Sequence, residues 1–102
     1  MYEIKVEKSK VKKSLKRLLK KVSPDVRNRL RDTLQNDPYP SSTHGNKLNK
    51  IEKKRSVYCY PLTGGDRILF LIYESPKKYI EIIFAGNDDE EIRFLRKKTH
   101  RP

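Results

Sequence analysis

Arg67, Tyr58 and Tyr60 stand on either side of a Thr63-Gly64-Gly65-Asp66 turn, and they are the residues here best suited to chemistry on a phosphodiester. The arginine fork matches two phosphate oxygens. Tyr58 and Tyr60 alternate on one strand face. They can stack on bases, or move protons if neighbouring cations lower their pKa. Each also has a plainer reading. Arg67 can be a strand-end cation held by a surface carboxylate, and the tyrosines can pack beneath helices with their hydroxyls bonded. Val57 and Cys59 make the better core face by polarity, which leaves the tyrosine pair partly exposed. His44, in a loop beside Gly45, and His100, in the C-terminal tail, are of the residue type suited to shuttling protons near neutral pH, or simply stand in solvent.

Cations are grouped. Lys8 to Lys21 holds eight Lys/Arg and no acid, Lys12, Lys13, Lys16 and Arg17 among them. A second group, Lys47, Lys50, Lys53, Lys54 and Arg55, leads into a strand. Such clusters bind phosphates by displacing counterions, or form a solvated face. In the first cluster, like charges repel and destabilise the compact state unless a partner uses them. Asp88 to Glu91 looks at first like a metal cluster. Consecutive carboxylates at a helix start point in different directions, and Asn87-x-x-Glu90 fits a capping box, so the run is assigned to the helix and not to a metal.

The chain has 102 residues and a net charge of +12. That is one domain, residues 1–102, with room for one core. Leu, Ile, Val and Phe number 26. A quarter of the chain clears the ~20% below which chains stay disordered, so a modest core forms. Residues 1–51 carry 14 Lys/Arg against 5 Asp/Glu, the rest 11 against 8. The asymmetry points to a polyanionic partner: nucleic acid or an acidic protein. A membrane is the weakest option, since the basic helix lacks a broad face to insert. The lone Cys59 excludes an intramolecular disulfide, and two distant histidines with one cysteine argue against a structural metal. No cofactor is implied. The N-terminus reads as no export signal, which makes the cytoplasm the expected compartment.

These residues need elements to hold them. Tyr2, Ile4 and Val6 alternate with charged residues as a short strand. Ser9 can cap a helix on which Val11, Leu15, Leu18, Leu19 and Val22 form one stripe. Ser23-Pro24-Asp25 has the cap, first-turn proline and acid of a second helix, carrying Val26, Leu30 and Leu34 and stopped at Asn36-Asp37-Pro38. Residues 37–54 read as irregular. Ser56–Tyr60, Arg67–Tyr73 and Tyr79–Ala85 read as strands. The second is apolar on both faces and therefore central. Ile92, Phe94 and Leu95 suggest a short last helix. The predicted fold is α+β, β-α-α-β-β-β-α, a small mostly antiparallel sheet with a helical hairpin on one face.

That order resembles the RelE/ParE superfamily of toxins from type II toxin–antitoxin systems, over nearly the whole chain. The likeness is carried by the basic first helix with Leu18-Leu19, the Asp37-Pro38 stop and Lys47-Leu48. It continues in Gly65-Asp66-Arg67-Ile68-Leu69-Phe70, similar to the family's G-x-R-hydrophobic strand start, and in Ile82-Ile83-Phe84-Ala85-Gly86. The resemblance implies a ribosome-dependent mRNA endoribonuclease that works without metal, binds mRNA and the ribosome, and is neutralised by a small acidic antitoxin. Arg67 matches the family's arginine and would stabilise the pentacoordinate phosphate. Tyr58, Tyr60 and His100 are the candidates for base and acid. Where active members place Arg or His and then Tyr after the last strand, this chain has Gly86-Asn87-Asp88-Asp89-Glu90-Glu91. Two alternatives stay open beside the nuclease: a ParE-like inhibitor of a protein such as DNA gyrase, and a catalytically degenerate basic RNA-binding module.

Overall fold

The computed structural model describes residues 1–39, 46–47 and 57–99. The chain is a mixed α+β domain. Its elements run β1 (Glu3–Lys5), α1 (Ser9–Lys21), α2 (Pro24–Asn36), β2 (Asn46–Lys47), β3 (Tyr58–Pro61), β4 (Arg67–Tyr73), β5 (Tyr79–Gly86) and α3 (Asp88–Thr99), with one 3₁₀ turn at Thr63–Gly65. The sheet order is β1-β5-β4-β3-β2. β1 joins β5 in parallel, and the other pairs are antiparallel. The doubly apolar β4 is central, as its sequence requires. β2 falls within the stretch read as irregular; a two-residue Asn-Lys strand carries no periodicity to read.

The cores lie on the two faces of this sheet. On one, Leu18, Leu30 and Leu34 of the α1–α2 hairpin pack with Tyr60, Ile68, Phe70, Ile80, Ile82 and Ala85. On the other, Val57, Cys59, Leu69 and Leu71 pack with Tyr73, Ile83, Phe84 and Phe94 of α3. Burying each of the three helical leucines contributes about 1.5–3 kcal/mol. β4 alternates faithfully between the two clusters, whereas β5 does not. Its register against β4 slips between the Leu69↔Phe84 and Phe70↔Ile82 pairs. Ile83 is the extra residue of this bulge. It resets the alternation, so that Ile82 and Ala85 can both face the hairpin.

Local chemistry fixes the element ends. Ser23 Oγ accepts from the Val26 amide at 3.3 Å, with Pro24 at the first helical position. The capping box of α3 is reciprocal: the Asn87 amide donates to Glu90 Oε1 at 3.0 Å and the Glu90 amide to Asn87 Oδ1 at 2.9 Å. Ser9, by contrast, does not cap α1. Lys8 takes the cap position and makes no side-chain bond there. The β3–β4 turn uses Gly64 and Gly65 at φ of 72° and 83°, a region that side-chain-bearing residues avoid.

Candidate functional site

The register places the proposed catalytic residues on opposite sides of the sheet. β4 sends Ile68, Phe70 and Ile72 toward the hairpin, so Arg67 projects to the α3 side. Tyr58 and Tyr60 pair with Phe70 and Ile68 and face the hairpin. A sheet one residue thick separates the arginine from the tyrosines. They cannot meet on one phosphate.

Each has a structural occupation as well. Arg67 Nη1 donates to Glu91 Oε1 at 2.8 Å, and the Glu91 side chain is 8% exposed. The carboxylate holding Arg67 thus comes from the acidic run at the start of α3. Tyr60 is buried. Tyr58 is half-buried, its ring stacked on Phe70 at 5.9 Å and edge-on to Tyr39 at 5.9 Å. The expectation of a partly exposed tyrosine pair is corrected for Tyr60, and for Tyr58 only its half-burial remains. α3 covers the Val57/Cys59 face while the hairpin covers the tyrosine face. With both faces covered, polarity alternation along β3 could not tell which one met solvent.

The basic residues divide. Lys12, Lys13, Lys16 and Arg17 are all exposed on α1, on the helix surface turned away from the sheet. Lys10, Lys20 and Lys21 are exposed on the same helix, and Lys8 is exposed at its cap. Lys21 lies 3.9 Å from Asp66 of the β3–β4 turn. α1 carries no acid of its own, so it presents a cationic ridge about 20 Å long. Lys47 pairs through its backbone with Tyr58. Lys50, Lys53, Lys54, Arg55, His44 and His100 lie outside the described residues.

Two further polar clusters had no signal in the sequence. Arg27 Nη1 donates to the carbonyls of Leu19 at 2.9 Å and Val22 at 3.2 Å. It satisfies the open C-terminal end of α1 from the facing helix. At the Tyr58 end of the sheet, Tyr2 Oη donates to Glu74 Oε2 at 2.7 Å and Tyr39 Oη donates to the same oxygen. These bonds hold the Glu74 carboxyl below its usual range, and they raise both phenols above theirs.

Among the described residues no three His, Cys, Asp or Glu side chains converge on one point, and no helix is long and apolar enough to cross a membrane. Comparison with family models, with curated proteins and with solved structures finds no match to this chain.

Proposed function

We propose that the chain is the toxin of a type II toxin–antitoxin pair, of the RelE/ParE kind. On this reading it works in the cytoplasm by binding RNA along α1, and a small acidic antitoxin holds it in check. The observation that carries this reading is the α1 ridge: seven exposed cations with an eighth, Lys8, at the cap position, no acid, and a single apolar stripe committed to the core. Fixed cations on a rigid helix displace counterions from a phosphate chain without sequence preference. The same ridge fits an acidic protein, and competition between the two would be the control.

Binding without cleavage is the version the geometry supports. Arg67 is engaged by Glu91, and Tyr58 and Tyr60 stand on the far side of the sheet. Metal-independent cleavage needs a phosphate-stabilising cation within reach of a base and an acid. The test runs the purified chain with matched translating ribosomes and reads messenger RNA by primer extension, beside a filter-binding assay on single-stranded RNA. Binding with no new 5′ ends is expected. Cuts that disappear in Arg67→Ala would restore the nuclease. Absence of RNA binding at low salt would remove the reading altogether.

A further inference from the structure

α2 carries one apolar residue per turn, Val26, Leu30 and Leu34, and so narrow a row does not close the hairpin fully onto the sheet. A cleft of about 130 Å³ stays open between α1, α2 and the β1 side of the sheet. Leu15 and Leu19 of α1 and Leu30 and Leu34 of α2 wall it, and Ile4 and Ile82 form its floor. The two polar residues of its lining are both cations, Arg27 and Arg31, and no acid lines it. They follow Val26 and Leu30 along α2, one turn apart on the same flank. The Leu19 and Val22 carbonyls hold Arg27 in place, and both accept from Nη1. That leaves Nε and Nη2, the side-on pair of the fork that a carboxylate meets with two oxygens. Arg31 is exposed and has no hydrogen-bond or ion-pair partner among the described residues.

An apolar cleft with two guanidinium groups on one flank and no carboxylate has the chemistry of a small-molecule site for an amphipathic anion. We propose that this cleft binds a small monocarboxylic acid with a compact aromatic or branched apolar body. The body lies between the hairpin and the sheet, and the carboxylate meets Arg27 and Arg31. Size and charge select this occupant. A cavity of about 150 Å³ lined by Leu, Ile and Phe takes a molecule the size of benzene, so this cleft holds one ring or a short branched chain and nothing larger. A cationic ligand would set its charge against both arginines, where little water screens them. Because Arg27 is already fixed by the α1 carbonyls, binding spends little ordering it. The inference stands apart from the RNA reading, since none of the α1 lysines lines the cleft.

The experiment titrates the intact chain with phenylacetate, with 2-phenylethylamine as a cation of similar shape, and with acetate as the charge alone. It reads the methyl resonances of Ile4, Leu15, Leu30 and Ile82. Phenylacetate should shift those methyls and saturate with a Kd below about 1 mM. The amine and acetate should each bind at least about tenfold more weakly. Arg31→Ala, a change at an exposed position, should weaken phenylacetate at least about fivefold while the far-ultraviolet spectrum stays native. Leu15→Phe should fill the cleft and abolish the shifts. If that variant fails to fold, Arg31→Ala and the three-ligand comparison still decide. No saturable shift, equal binding of acid and amine, or an affinity unchanged in Arg31→Ala would each overturn the proposal. So would acetate binding as tightly as phenylacetate, or shifts confined to the Lys12–Arg17 ridge, since either would assign the effect to charge alone.

Discussion

Arg67 Nη1 and Glu91 Oε1 are 2.8 Å apart, which fastens the start of β4 to the first turns of α3. The Glu91 side chain is buried and the Arg67 side chain about a quarter exposed. Removing one partner of such a pair takes this 2.8 Å bond from the other. We predict that Glu91→Gln and Arg67→Met each lower stability by about 2–4 kcal/mol in urea unfolding, toward the lower end because Arg67 is partly solvated. The double variant Arg67→Met/Glu91→Leu should recover much of the loss, since apolar replacement removes both desolvation costs. A double variant as unstable as the sum of the singles would mean that the two side chains do not act as a pair.

RNA affinity gives a second prediction, carried by the exposed ridge. Replacing Lys12, Lys13, Lys16 and Arg17 with Gln removes four cations from solvent-facing helix positions. The slope of log affinity against log salt should fall by up to about 2.8 for a single strand, from the ~0.7 of each phosphate contact. The substitution should leave the melting temperature unchanged or slightly raised, because like charges are removed. An unaltered slope would move the RNA to another surface.

Much of the architecture was legible because several local rules agreed. Ser23-Pro24 and Asn87-x-x-Glu90 mark helix starts by backbone hydrogen-bond chemistry that operates within four residues. The Arg67–Tyr73 run marks a central strand because both faces are apolar. The face of β3 was not legible, since two layers cover it and tyrosine suits either a wet or a dry site. Nor was the Ile83 bulge, because a continuous apolar run has no alternation to interrupt. Arg67's partner lies 24 residues away, at a distance fixed only by how α3 turns back over β4. The placement of the candidate catalytic residues was not legible for that reason: residue types suited to phosphate chemistry are present, but on opposite faces of the sheet.

Arg27 supplies a third prediction. Its guanidinium bonds two α1 carbonyls from α2 and so couples the helices of the hairpin. Hydrogen bonds from a charged donor contribute about 1.5–3 kcal/mol. Arg27→Ala should cost about that much in denaturant unfolding, and Arg27→Lys should restore part of it, since an ammonium has donors for both carbonyls but sits on a more flexible stem. The loss should appear first as faster amide exchange at the C-terminal turn of α1. Uniform acceleration across the whole domain would contradict a local clamp.

The Tyr2–Glu74–Tyr39 contact gives a prediction in pH. Both phenols donate to one carboxylate oxygen, which favours the ionised carboxylate and lowers its pKa in the folded state. A depressed carboxylate contributes stability that is present above its unfolded pKa, near 4.3, and is lost as pH falls through the lower folded value. The phenols act with the opposite sign. Their pKa values are raised, chiefly by the bonds to Glu74, so their contribution is complete below about 10 and fades as pH climbs above it. The wild type should therefore exceed Glu74→Gln in thermal midpoint between these limits, and the gap should close from both ends. Tyr39→Phe should narrow the acid limb and leave part of it, because Tyr2 still donates. Thermal melts of the three proteins from pH 3 to pH 11 decide the matter. A wild-type curve that runs parallel to Glu74→Gln between pH 7 and pH 3 would show that the two tyrosines do not stabilise the ionised carboxylate in solution.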